Sequence, residues 1–144
     1  CTIHFGNDDL IRQVNAVKGD MKILAVTALT SLTQSDIEDQ GLTCDIDDLV
    51  FRRSKRALEL GCDGVISSGL ELPLLRNGLG DRFLVITPGI RPVANNDDQK
   101  RTVDALEAFT RGANYIVVGR PIRDAENPLA VAVNLQKVIA DYFK

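Results

Sequence analysis

The sequence predicts an α/β protein with a parallel sheet built from about five strand–helix units. Two patterns carry that expectation. Short, continuous apolar runs alternate with segments whose apolar residues recur every three or four positions, the signature of βα units. Glycines stand where several of the helical segments end, as caps do.

The chain opens on Cys1-Thr2-Ile3-His4, an apolar, β-like stub with no leading turn and no initiator Met. It reads as the middle of a strand, and so as a cut chain. Leu10, Ile11, Val14 and Val17 form one helical face over 8–18. Met21-Lys22-Ile23-Leu24-Ala25-Val26-Thr27 is a continuous strand of the buried type. A polar stretch over 33–43 leads to a helix over 47–60, closed by Gly61. Asp63-Gly64-Val65-Ile66-Ser67 is the next strand, and a short helix over 70–76 follows. Pro73 is tolerable there only near the first turn, because it lacks an N–H. Phe83-Leu84-Val85-Ile86-Thr87 is a further strand, and the long segment 88–101 is polar. A helix over 102–111 ends at Gly112, and Tyr115-Ile116-Val117-Val118 is the last strand. Asn127-Pro128 starts the final helix, with Asn as N-cap and Pro at the first position. Leu129, Ala132, Leu135, Ile139 and Tyr142 are its expected inward face.

Composition narrows the class. The chain has 144 residues, enough for a single domain over 1–144 with a real core. At 44% hydrophobic and 26% charged it has the make-up of an ordinary soluble globular protein. Net charge is −3 with both signs interspersed, so no basic stripe points to nucleic acid. No apolar run approaches the roughly 18 residues of a membrane span. No basic segment leads into an apolar stretch, so no secretory signal is visible. Cys1, Cys44 and Cys62 are odd in number and lack ligand spacing. They suit a reducing, cytoplasmic setting better than a disulfide framework. His4 is the sole histidine and no Cys-x-x-Cys is present, so no metal is expected.

Parallel α/β folds bind ligands beyond the carboxyl ends of their strands, and in barrels that rim is the active site. The residues there are His4, then 27–31, Ser67 and Ser68, 87–91, and Gly119 with Arg120. Nearly all are polar or Gly, which contact with solvent alone would also explain. Two loops are sharper. Thr87-Pro88-Gly89-Ile90-Arg91-Pro92 and Gly119-Arg120-Pro121-Ile122 each put a Gly and an Arg just after a strand. Gly lets an anion approach backbone N–H groups, and the guanidinium fork matches phosphate oxygens. The last two βα loops of a barrel are where phosphate sites are commonly built. Each motif alone is consistent with a tight turn beside a surface Arg; the pair points to phosphate.

Together with Asp98-Gln99-Lys100-Arg101 and Tyr115-Ile116-Val117-Val118-Gly119-Arg120-Pro121-Ile122, the Thr87-to-Pro92 run resembles the orotidine 5′-phosphate decarboxylase family. Leu24-Ala25-Val26-Thr27-Ala28-Leu29-Thr30-Ser31 and Asp63-Gly64-Val65-Ile66-Ser67-Ser68 match the same family in order. The resemblance covers essentially the whole chain. It implies a (β/α)₈ TIM barrel, here a partial barrel corresponding to the family's fourth through eighth strands. It also implies a cofactor-free lyase that turns orotidine 5′-phosphate into uridine 5′-phosphate and CO₂, homodimeric when complete. Carried over, Arg120 and the Gly119 backbone grip the phosphate, and Arg91 and Gln99 close over it from a mobile 88–101 lid. Thr30, with Ser31 beside it, sits at the pyrimidine edge.

The family's chemistry belongs to an Asp-x-Lys-x-x-Asp motif, whose Lys can protonate the carbanion. Asp20-Met21-Lys22 begins it but runs on to Ala25, and Asp98-Gln99-Lys100 runs on to Val103. Neither qualifies, so no catalytic residue is expected in these residues. His4 reads as structural or near the site. The rivals are another sugar-phosphate decarboxylase of the same barrel group and a non-catalytic partial barrel. The absent Lys motif favours the second rival; Thr30 and Gln99 speak against the first.

Overall fold

A computed structural model describes residues 1–4, 6–91 and 101–144. Its strands are β1 (Thr2–His4), β2 (Leu24–Val26), β3 (Gly64–Ile66), β4 (Leu84–Thr87) and β5 (Tyr115–Ile116). Its helices are α1 (Asp8–Val17), α2 (Gln34–Asp39), α3 (Ile46–Glu59), α4 (Leu72–Leu79), α5 (Ala105–Thr110), α6 (Arg120–Arg123) and α7 (Pro128–Tyr142). The strands form one parallel sheet in the order β1-β2-β3-β4-β5. His4, Val26, Ile66, Ile86 and Tyr115 share one register row.

Strand order that follows chain order has no reversal, unlike the doubly wound folds. The helices therefore stay on one side, and the sheet is an arc of a barrel. Burial shows it. Ala25, Val65 and Val85 are fully buried in a core with Ile11 of α1, Val50 and Ala57 of α3, Leu72 and Leu75 of α4, and Ala108 of α5. Val26, Ile66 and Ile86, one residue along and so on the opposite face, are only half-buried. Five strands cannot close an eight-strand barrel, so the architecture is a partial TIM barrel with β1 and β5 as its edges. No helix among the described residues is long and apolar enough to cross a membrane.

Local chemistry accounts for the helices. Asn7 caps α1, its side chain accepting from the Leu10 N–H at 2.8 Å, with Asp8 and Asp9 in the first turn. The expected α1 face is narrower than its spacing suggests. Ile11 is buried and Val14 packs on the core, whereas Leu10 and Val17 are exposed. They lie about 100° and 120° around the helix from Ile11. The same arithmetic corrects α7, where Leu129 is 73% exposed. It sits about 120° from Leu135, and Val131 takes the inward place instead. Two helices fall where none was expected, α2 within the polar stretch and α6 after β5. In α2 Thr33 and Asp36 form a reciprocal capping box and Ile37 is the buried anchor. Gly61 ends α3 at φ +93°, as expected of a cap. Gly64 answers a different need, since a Cβ there would lie 2.2 Å from the Leu84 carbonyl oxygen.

The amino ends of the central strands are clamped by Asp63. Its carboxylate accepts from Lys18 Nζ at 2.5 Å, the Ile23 N–H at 2.9 Å and Lys22 Nζ at 3.3 Å. Its backbone joins β2 and β4, donating to Ile23 O and accepting from Leu84 N. Burial pushes the carboxyl pKa upward, but the bonds from Lys18, Ile23 and Lys22 outweigh it and hold the value at about 2. A native pKa below the unfolded 3.8 stabilises the fold above pH 3.8, and that contribution fades as pH falls through about 2. Asp63→Asn is therefore expected to lower unfolding free energy at neutral pH by about 2 kcal/mol. In urea titrations the variant and the unaltered chain should converge in stability on acidification across that window. A gap that persists unchanged at the acid end would refute the clamp's electrostatic origin.

Candidate functional site

The carboxyl ends of β2, β4 and β5 open onto a cavity of about 180 Å³ lined by Thr30, Pro88, Gly89, Arg91, Val117, Gly119 and Arg120. Gly89 stands at φ +76°, a left-handed turn that suits glycine. That turn lets the chain double back after β4, so that Ile90 bridges Val103 and is fully buried. Arg91 is then 7% exposed; its N–H donates to Val103 O at 3.0 Å and its Nη1 to Ile90 O at 2.9 Å. Gly119 is the N-cap of α6, and its carbonyl accepts from the Ile122 and Arg123 N–H groups. A Cβ on Gly119 would meet nothing within 4 Å, so its backbone faces open space. Arg120 follows as the first residue of α6. Thr30 is buried in the loop after β2, and its carbonyl accepts from the Arg101 N–H at 3.3 Å.

Four of the residues singled out in the sequence, Thr30, Arg91, Gly119 and Arg120, thus line one cavity. Ser31 is half-buried beside Thr30 and is not part of the lining. Gln99, and with it most of the expected 88–101 lid, lies outside the described residues. His4 pairs with Val26 through its backbone, and its side chain also lies outside them.

Ser67 and Ser68 belong neither to the cavity lining nor to solvent. Both are buried, Ser67 bonded to the carboxylate of an ion pair that sequence reading did not find and Ser68 to the backbone of its cation. Arg101 Nη1 bonds Glu71 Oε1 with both side chains out of water, 8% and 1% exposed. Ser67 Oγ donates to the other Glu71 oxygen at 3.0 Å, and Ser68 Oγ donates to Arg101 O at 3.1 Å. Burial pushes the Glu71 carboxyl above its ordinary value, against the pull of Arg101 and Ser67. The available signal was an acidic residue inside the apolar run Leu70-Glu71-Leu72, since a charge in a buried segment needs a partner.

A larger cavity, about 690 Å³, lies at the opposite rim around Lys22, Cys62, Asp63, Asp81, Arg82 and Asn114. It surrounds the Asp63 clamp, in which the carboxylate is already engaged by two lysines. Burial raises the Cys62 thiol pKa, which leaves it a poor nucleophile. Polarity at the amino ends of barrel strands serves stability, and chemistry sits at the carboxyl ends. The smaller cavity is the candidate site. Among the described residues no group of three or more His, Cys, Asp or Glu side chains could hold a metal ion.

Residues 4–135 match the family model for the orotidine 5′-phosphate decarboxylase / HUMPS family. The chain is 54% identical over 144 residues to an orotidine 5′-phosphate decarboxylase of Methylococcus capsulatus, covering 99% of this chain and 59% of that protein. It is 43% identical to another from Nitrobacter winogradskyi, covering 97% of this chain and 59% of the relative. The crystal structure of orotidine 5′-phosphate decarboxylase from Lactobacillus acidophilus superposes with a TM-score of 0.79 at 33% identity, covering 95% of this chain and 61% of that one. The chain therefore spans about three-fifths of the length of these relatives. Sequence and fold agree: the chain belongs to the orotidine 5′-phosphate decarboxylase / HUMPS family.

Proposed function

We propose that these residues form the phosphate-gripping part of an orotidine 5′-phosphate decarboxylase, a carboxy-lyase of de novo pyrimidine synthesis. The observation that carries the reading is a single cavity lined by Arg91 and Arg120, one from each of the last two strand-end loops, and by Gly119. Two guanidinium groups around a small open cradle fit a phosphate dianion, through charge and paired N–H···O geometry. Thr30, which lines the same cavity from the β2 loop, is assigned to the pyrimidine edge, together with Ser31 beside it in the chain. Gln99 is assigned to the phosphate with Arg91.

In the reaction the bond from the ring carbon to the carboxylate breaks, CO₂ leaves, and the electron pair stays on the ring carbon until a proton arrives. Phosphate contacts lie far from that carbon. Their use is to supply binding energy that orders the site, and only interactions that strengthen in the transition state turn it into rate. The Lys of an Asp-x-Lys-x-x-Asp motif, the proton donor in this reading, is absent from the 144 residues. The reading needs no metal or cofactor. It includes a homodimeric, cytoplasmic enzyme without nucleic-acid or membrane partners, supported by family membership and by the interspersed charge.

In the complete enzyme Arg120→Ala is expected to weaken binding of uridine 5′-phosphate by roughly 1.5–3 kcal/mol, the worth of a charge-assisted contact. Calorimetric titration with uridine 5′-phosphate and with uridine is the test. A loss of equal size for both ligands would take Arg120 out of the phosphate site.

The 144 residues by themselves are expected to release no CO₂ from orotidine 5′-phosphate above background. Mixing them with a polypeptide that carries the Asp-x-Lys-x-x-Asp strands should restore turnover if the two complete a barrel. CO₂ release by each piece and by the mixture decides it, and turnover by the 144 residues alone would sink the assignment of chemistry to that motif.

A further inference from the structure

Glu71 and Arg101 form a buried ion pair at the carboxyl rim, outside the lining of the phosphate cavity, and bonds from it lead to that cavity. Glu71 opens α4 as its N-cap residue and is 2% exposed. Both of its carboxylate oxygens are engaged, one by Arg101 and one by Ser67. From Arg101 the bonds run outward in two directions. Towards the β2 loop, Nη2 donates to Leu29 O at 2.8 Å and the backbone N–H donates to Thr30 O at 3.3 Å. Two residues further along the chain, Val103 O accepts the Arg91 N–H at 3.0 Å and Val103 bridges Ile90. Val103 is packed so closely on Gly69 that a Cβ there would lie 2.2 Å from Val103 Cγ2. Thr30 and Arg91, the two cavity residues reached this way, come from different strands.

A buried ion pair is a poor way to gain stability, because desolvating two charges consumes most of their attraction. This pair is also incompletely satisfied, since Arg101 Nε is buried without a hydrogen-bond partner among the described residues. What it does well is fix geometry, through a planar fork with several bonds in set directions. We propose that Glu71 is a positioning residue for the phosphate cavity, setting Thr30 and Arg91 through its ion pair with Arg101. This rests on the phosphate reading above. Glu71 itself contacts no ligand; it holds the Arg101 guanidinium, and Arg101 holds the backbone on both sides of the cavity.

The test is Glu71→Gln, which keeps the shape and one acceptor but removes the charge. Two readouts are needed. The first is amide hydrogen exchange without ligand. The Arg91 and Arg101 amides should lose protection, while the Leu84 amide, bonded to Asp63 O at the opposite rim, should keep it. Unchanged protection at Arg91 and Arg101, or equal loss at Leu84, overturns the proposal. The second is binding of uridine 5′-phosphate and uridine. The variant should bind the nucleotide about ten-fold more weakly, because preorganisation is lost, with a clearly smaller loss for uridine through Thr30 alone. Combined with Arg91→Ala, it should add no more than about two-fold, as expected of residues acting through one another. Full additivity, or an equal loss for uridine, also overturns it. If the unaltered chain shows no preference for uridine 5′-phosphate, the phosphate reading fails, and hydrogen exchange still decides whether Glu71 sets the two loops. Should Glu71→Gln unfold, Ser67→Ala, which removes only the bond to Glu71 Oε2, carries the same comparisons.

Discussion

The parallel register of the sheet is the constraint on which the rest depends. Each strand pairs with its neighbour in sequence, and His4, Val26, Ile66, Ile86 and Tyr115 fall in one row. Strands held level in this way end together, so loops separated by many residues meet at one rim. Thr30 and Arg120 lie far apart along the chain and line the same cavity for that reason. Register also divides labour between the faces. Alternate residues go to the helix-covered core or to the half-covered inner face, and a slip of one residue would exchange the two sets.

Charge is used differently at the two rims. At the amino rim Asp63 has two lysines and a backbone N–H, which together outweigh its desolvation, so it keeps its charge with its pKa at about 2 and stabilises the fold. At the carboxyl rim Glu71 and Arg101 are almost wholly out of water, and burial raises the Glu71 pKa despite the guanidinium beside it. The first arrangement is what strand-end anchoring requires. The second is weak as a source of stability, and its value lies in direction. Its bonds fix the backbone carbonyls of Leu29 and Thr30 and the strand-end turn that presents Arg91.

The parallel sheet and the gathering of the strand-end residues at one rim were legible in the sequence because they depend on local patterns. Apolar runs mark strands, and Arg91, Gly119 and Arg120, singled out by Gly followed closely by Arg after a strand, line one cavity. What stayed hidden depends on partners distant in the chain. Glu71 and Arg101 are thirty residues apart, and nothing local says which cation an acidic residue in an apolar run will meet. Ser67 and Ser68 looked like solvent-facing strand ends for the same reason, although both are buried, Ser67 on the Glu71 carboxylate and Ser68 on the Arg101 backbone. Helix faces were over-read where spacing of three and four was counted without the angle it accumulates, which left Leu10, Val17 and Leu129 in solvent. The α2 helix was legible in principle, since Thr33-x-x-Asp36 ahead of Ile37 is a capping box with an apolar anchor.

The sheet's inner face separates the two halves of the proposed function. Val26, Ile66 and Ile86 are only half-buried there, and Tyr115 and Val117 at the β5 edge are 57% and 50% exposed. A ring carbon that gains a carbanion must be screened from water and set beside a proton donor, which a half-open apolar face does not provide. The phosphate cavity is different. Its walls come from the β2, β4 and β5 loops, and its supports from Glu71, Arg101, Ser67 and Ser68, all within one side of the arc. In the proposed function, grip on the phosphate is therefore organised from this side of the arc. Rate acceleration depends on a group that must be brought to the uncovered face, so the structure lets binding energy and chemistry be measured separately.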